Sequence, residues 1–201
     1  MQPMFSAASQ IRRYLYNVEV DTLISIRRLL IYGTRRAVDG AVGRLVRAGM
    51  LQRVARGLYI KPSGMGVEFS DFEIAEAKAK GFGKGVYTHG DILAAEMGIT
   101  KSLHAAARRS FAVEGSTSSF NSINGRINLR SVCRRYLVLG ERKIGRIARA
   151  LISLGKDACV PHNVEPILSA LSRLERALLA GCAQWLPGWL SDILGHGVYS
   201  F

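Results

Sequence analysis

Nothing in this chain of 201 residues points to a disulfide framework, because its three cysteines, Cys133, Cys159 and Cys182, are odd in number, far apart and without a CxxC pair. The same spacing offers no zinc signature, and a reducing cytoplasm is the expected compartment. The four histidines, His89, His104, His162 and His196, have no second histidine three or four residues away, so no helical metal pair is indicated. No metal and no other cofactor is expected. No apolar run reaches the roughly eighteen residues that span a bilayer. Ala177 to Leu194 comes closest, but Gly181, Gln184, Pro187, Gly188 and Asp192 interrupt it, and it reads as buried helix. The start, Met1 to Arg13, lacks the apolar core of a signal peptide. No membrane partner is expected, and neither an internal repeat nor a low-complexity tract is present.

Signs of catalysis are equally sparse. Isolated serines form no nucleophile elbow, and Gly81-Phe-Gly-Lys-Gly85 lacks the strand, spacing and Ser/Thr of a phosphate loop. Glu141-Arg-Lys143, taken with Glu114, has a faint likeness to the carboxylates and lysine of Mg²⁺-dependent nucleases, but the aspartate that opens the preceding strand in such sites is absent. No catalytic residue is assigned. The expectation is a binding protein rather than an enzyme, with a metal-dependent nuclease as the least favoured alternative.

Acidic residues are scarce as well, with 15 Asp and Glu against 28 Lys and Arg, a formal charge of +13. A surface of that sign attracts polyanions, nucleic acid above all. The excess is concentrated: residues 1–62 carry eleven Lys or Arg, ten of them Arg, against Glu19, Asp21 and Asp39, a net +8. Arginine outnumbers lysine 21 to 7 in the whole chain, and its planar fork suits phosphate and guanine edges. With 48% apolar residues the chain can also build a substantial core.

The apolar pattern predicts an α+β protein in two parts. Ser9 is placed as the cap of a helix to about Tyr16, with Ile11 and Leu15 inward, and Val18 to Leu23 is read as extended. Ser25 restarts helix, Gly33 breaks it, and Thr34 caps a second helix whose stripe is Val38, Ala41, Val42, Leu45 and Val46, ended by Gly49. Two short strands, Met50 to Val54 and Leu58 to Ile60, then turn at Arg56-Gly57. Residues 1–62 are thus expected to be a winged helix-turn-helix, and Lys61 to Gly66, with a proline and two glycines, a linker. Residues 67–201 are expected to form a mixed α/β domain with C-terminal helices. In it Ser70-Asp-Phe-Glu73 is a capping box, Thr88 caps a helix to Met97, and Phe111 to Glu114, Ser119 to Ile123, Arg126 to Leu129 and Tyr136 to Leu139 are strands, with Asn124-Gly125 as a hairpin turn. Two further stripes are Ile144, Ile147, Ala148, Leu151, Ile152 and Ile167, Leu168, Leu171, Leu174, Leu178, Leu179.

On the helix after Thr34, a step of 100° per residue puts Arg36, Gly40, Gly43 and Arg47 opposite the apolar stripe, with Arg44 on its flank. Two glycines on an exposed helical face each cost about 1 kcal/mol relative to alanine, and close approach to a DNA backbone or groove wall compensates. Arg35 and Arg36 stand nearest base edges, and Thr34 with the first helix amides suits a phosphate. Arg53, Arg56 and Lys61 extend the basic surface onto the hairpin. A second cluster, Arg126, Arg130, Arg134, Arg135, Arg142, Lys143, Arg146 and Arg149, offers further backbone contact or a dock for an acidic protein or RNA.

The segment TRRAVDGAVGRLVRAGMLQRVARGLY, Thr34 to Tyr59, resembles the N-terminal domain of AbiEi-type antitoxins of bacterial type IV toxin-antitoxin systems. The shared pattern is R-L-x-x-x-G-x-L-x-R-x-x-x-G-x-Y. The stretch from Gly85-Val-Tyr-Thr-His-Gly90 through Arg130 to Gly155-Lys-Asp157 looks like the domain that follows in that family, so the resemblance covers roughly residues 9–157. Two copies of a repressor are expected on repeated half-sites of double-stranded promoter DNA, and the resemblance implies that the promoter is the protein's own. It also implies a role counteracting a nucleotidyltransferase-like toxin, with the second basic cluster as the surface for that toxin or its RNA substrate. Residues 159–201 match nothing in the resemblance. The alternative is an interaction module that binds toxin or RNA without an operator.

Overall fold

The computed structural model describes residues 6–99 and 109–198, without the side chains of Pro161 and residues 195–198. His104 and the His196 side chain lie outside the described residues. The fold is α+β and consists of two compact units. Of the described residues, 6–85 and 119–127 form the first, and 86–99, 109–118 and 128–198 form the second. The expected linker, Lys61 to Gly66, lies in the irregular segment 61–70, and the helix that follows still belongs to the first unit.

The first unit opens with α1 (Ala7–Asn17), which buries Ile11 and Leu15 as expected but is capped by Ser6 rather than Ser9. The Ser6 hydroxyl accepts from the Ser9 amide at 3.3 Å, and Ser9 already lies in the first turn. Val18 to Leu23 is not a strand. Asp21 takes a left-handed conformation at φ 58°, its amide donates to the Lys61 carbonyl, and its carboxylate accepts from the Ser63 amide at 3.0 Å. This local bonding holds a turn that apolar alternation does not reveal. Only β1 (Ile24–Ser25) is extended. Ser25 then caps the one-turn α2 (Ile26–Leu29), a 3₁₀ turn follows at Leu30–Tyr32, and Thr34 caps α3 (Arg35–Arg47) by accepting from the Ala37 amide at 3.3 Å.

Val38, Ala41, Val42 and Leu45 of α3 are buried against Ile11, Leu15, Ile26 and Leu29, and each of the larger side chains contributes roughly 2 kcal/mol by leaving water. Gly49, at φ 70°, ends the helix. β2 (Gln52–Ala55) and β3 (Leu58–Ile60) form the antiparallel hairpin, and β1 pairs with β3 through Ile24–Tyr59 and Ser25–Leu58. The strand order is therefore β1-β3-β2. Beyond the irregular segment, α4 (Asp71–Lys80) begins in a complete capping box: the Glu73 amide donates to Ser70 Oγ at 3.2 Å, and the Ser70 amide donates to Glu73 Oε2 at 2.9 Å.

The second unit begins with β4 (Val86–Thr88) and α5 (Gly90–Glu96). Thr88 ends the strand, and the helix is capped by His89, whose Nδ1 accepts from the Asp91 amide. β5 (Ser110–Val113) pairs antiparallel with β4 and parallel with residues 128–131 of β7 (Gly125–Ser131). Between them in sequence, β6 (Ser118–Ser122) places Ser122 opposite Ala55 of β2 in the first unit, and the turn at 123–124 leads into Gly125 at φ 116°. The strand expected at Tyr136 to Leu139 is instead the short α6 (Arg134–Leu137) followed by a turn, with Leu137 buried, Leu139 packed partly against the core and Val138 exposed. α7 (Lys143–Leu154) buries Ile147, Ala148 and Leu151 as its periodicity predicts. The stripe from Ile167 to Leu179 is broken: α8 (Pro161–Ser169) stops, and Ser172 caps a new helix, α9 (Arg173–Gly181), through a second capping box with Glu175. Leu179 is buried, but Leu174 and Leu178 are exposed. α10 (Gly188–Val198) closes this core with Leu190 and Leu194.

Candidate nucleic-acid interface

α3 is held by its apolar stripe, and the geometry of a regular helix then decides what faces water. Arg35, Arg36, Gly40, Arg44 and Arg47 are exposed, and Gly43 is partly so. A Cβ added at Gly43 would meet nothing within 4 Å, and one at Gly40 would meet only the end of Arg44 at 3.6 Å. The surface above both glycines is open. Arg36 and Arg44 make no ion pair with any described residue, so their charges face solvent uncompensated. Arg47 donates to the Gly43 carbonyl one turn back at 3.3 Å. Arg35 differs from the expectation: its guanidinium pairs with Asp39 at 2.8 Å, an i,i+4 bridge that offsets part of its charge. The Thr34 hydroxyl accepts from Ala37 and keeps its own proton free to donate.

On the hairpin, Gly57 at φ 76° makes the turn, and Arg53 and Arg56 are exposed on either side of Val54 and Ala55. Lys61 is not part of this surface. Its ammonium donates to the carbonyls of Leu15 and Val18 at 3.1 and 3.2 Å, which ties it to the C-terminal end of α1. The orphan carbonyls of that helix end need a donor, and sequence distance concealed which lysine supplies it.

The residues of the second basic cluster differ in environment and are divided between the two units. Arg126 belongs to the first unit and donates to Ser119 Oγ at 2.8 Å. Arg149 is 3% exposed. Its guanidinium donates to the carbonyls of Thr88 and Gly140 and to Glu141 Oε1 at 2.7 Å, and it lies over the Tyr87 ring. Burial pushes its pKa down, with the Glu141 carboxylate opposing that shift. Arg146 pairs with Glu96 at 2.6 Å and Glu141 at 3.1 Å, and Lys143 with Glu175 at 3.1 Å. Arg134 stands 3.8 Å from Glu114, and Arg135 hydrogen-bonds the Tyr136 hydroxyl. Arg130 and Arg142 remain as exposed cations without an ion pair among the described residues. An arginine three residues along a helix from another looked equivalent to it in sequence; which of the two points at the core depends on how α5 and α7 meet.

Glu141, the centre of the weak nuclease likeness, accepts hydrogen bonds from Thr88, Arg146 and Arg149. Its oxygens are committed to holding β4 and α7 together. Among the described residues no group of three or more His, Cys, Asp and Glu side chains is placed to hold a metal ion, and no helix is long and apolar enough to cross a membrane. Sequence reading passed over Arg27, Arg28 and Lys78, cations on α2 and α4 with no motif around them. No protein-family model, curated protein or solved structure matches the chain.

Proposed function

We propose that the first unit is a winged helix-turn-helix that binds duplex DNA, and that the chain is a cytoplasmic transcriptional repressor. The observation that carries this reading is the outer face of α3, where Arg36, Arg44 and Arg47 surround one exposed and one partly exposed glycine with open space above them. A smooth, basic helix preceded by a shorter helix and a tight turn, and followed by a hairpin with Arg56 at its tip, has the order of elements used to enter a major groove. In this reading Arg36 and Arg47 read or line the groove. Arg44, Arg53 and Arg56 take phosphates and supply a salt-dependent, sequence-independent part of the affinity. Thr34 and the first amides of α3 take another. Arg35, paired with Asp39, has the smaller part, and Lys61 none.

Repression follows from occlusion of a promoter by two copies on repeated half-sites. The biological role we propose, as antitoxin to a nucleotidyltransferase-like toxin with autoregulation of the shared operon, rests on the resemblance of residues 34–59 and 85–157 to AbiEi-type proteins. The test is capture of host DNA fragments on the purified protein. A repressor of its own operon enriches the region upstream of its own reading frame, and Arg36→Ala and Arg56→Ala reduce that binding in a gel-shift titration at fixed salt. Unchanged operator binding in both variants would falsify the α3 and hairpin assignment.

A further inference from the structure

The turn of the β2–β3 hairpin is a meeting point for cations from three elements of the first unit. The Ile26 amide donates to the Gly57 carbonyl at 2.9 Å, which fixes the start of α2, and therefore Arg27, beside the turn. From the other direction the Lys78 ammonium of α4 donates to the Arg56 carbonyl. A Cβ added at Gly57 would stand 3.2 Å from Ile26 Cγ2 and 3.9 Å from Lys78 Nζ. Arg53 and Arg56 complete the group on the hairpin itself. None of these four cations makes an ion pair with a carboxylate among the described residues. Two are braced by aromatic faces: Arg27 lies 3.9 Å over the Phe82 ring and Lys78 5.4 Å from the Phe120 ring centre.

Glu73 and Glu76 line the cavity beside Arg27 but pair with none of the four cations, so the like charges repel one another, and the Lys78 ammonium is held below the usual lysine range, by burial first and then by Arg56, Arg53 and Arg27. Such an arrangement raises the free energy of the empty protein and is relieved by an anion. Only one of the three Lys78 N–H donors is used by the Arg56 carbonyl, so its others are available. The hairpin turn belongs to the surface already assigned to DNA, and the anion most readily presented there is a backbone phosphate.

We propose that Arg27, Lys78, Arg53 and Arg56 form a phosphate clamp for the backbone of duplex DNA, in addition to the α3 face. This rests on the DNA-binding reading above and adds to it α2 and α4, which lie outside the hairpin and outside α3. The clamp touches no base edge, so it contributes affinity and salt dependence but no sequence discrimination.

The experiment is fluorescence anisotropy with labelled 30-base-pair duplexes of two unrelated sequences, titrated over a range of salt. The proteins are the full chain, Arg27→Gln, the double variant Arg27→Gln/Lys78→Gln, and Lys78→Arg. We expect the slope of log K against log salt to become shallower by about one for each lost contact, roughly two for the double variant. The weakening should be equal for both sequences, and Lys78→Arg should retain wild-type behaviour. Circular dichroism establishes folding; Arg27 is exposed, so Arg27→Gln by itself carries the test if the double variant loses its fold. An unchanged slope in variants of a wild type that binds duplex overturns the clamp and leaves the α3 reading standing. A wild type that binds neither duplex overturns both. With single-stranded 30-mers titrated beside the duplexes, a loss confined to the single strands would also overturn it.

Discussion

Arg146 and Arg149 sit three residues apart on α7 and are indistinguishable in the sequence, yet their environments make them different residues. Arg149 spends its donors on two carbonyls and on Glu141 inside the second unit, whereas Arg146 bridges two carboxylates at the surface. Removing the buried Arg149 guanidinium leaves the Thr88 and Gly140 carbonyls without that donor, whereas the exposed Glu141 regains water. Arg149→Met is therefore expected to cost about 2 kcal/mol in urea unfolding, and Arg146→Gln less than about 1 kcal/mol. His89 is a second case. Burial holds its imidazole below the usual histidine range, with Arg130 and Arg149 acting in the same direction and Asp91 against it. The unfolded chain then takes up a proton that the folded chain refuses. Stability is at its full value above about pH 6.5 and falls as the pH drops from there towards the lower folded pKa. Urea midpoints measured between pH 8 and pH 5 should show this decline, and His89→Asn, which keeps a capping group, should flatten it.

At the scale of elements, the capped helices were the most legible. Ser70 with Glu73 and the Thr34 cap are short-range features, closed within one turn, so neither needs a partner from elsewhere in the chain. The elements misread were those whose state depends on a neighbour. Val18 to Leu23 became a turn because Lys61 and Ser63 hold Asp21 from the far side of the hairpin. Arg134–Leu137 is helix, and no strand pairs with it among the described residues. Glycines at helix crossings show the same dependence. A Cβ on Gly90 would stand 2.2 Å from the Arg149 carbonyl oxygen, so α5 and α7 approach backbone to backbone. Gly90→Ala is expected to lower the thermal midpoint, by about 1 to 3 kcal/mol of stability. Gly43, with nothing near it, behaves in the opposite way. Gly43→Ala should stabilise α3 by about 1 kcal/mol while weakening duplex binding, and a variant that gains stability with no loss of affinity would remove Gly43 from the interface.

For the whole molecule, the charge of +13 is the dominant fact, but its distribution matters more than its size. Internal pairing absorbs much of the basic character of the second unit, at Arg134, Lys143, Arg146 and Arg149. The α3 face and the hairpin of the first unit keep theirs. Duplex affinity measured at 0.05 and 0.2 M salt should therefore fall steeply, as expected when several phosphates are neutralised. Charge substitutions at Arg36, Arg44 and Arg56 should reduce that slope, and substitution of Arg146 should leave it unchanged.

Composition and periodicity alone determined that this is an α+β protein with a basic, arginine-rich beginning. They also determined that α3 buries Val38, Ala41, Val42 and Leu45 and so must turn Arg36, Gly40, Gly43 and Arg47 outward. Those conclusions rest on a 3.6-residue repeat and on net charge, which are local or additive. Which cations are free was decided only by the tertiary structure. Lys61 is tied to the end of α1, Arg149 is buried while its partner Glu141 stays exposed, and Lys78 is brought beside Arg56 from 22 residues along the chain. Side chains find partners by distance in space, and neither spacing nor composition encodes that distance until the chain has folded.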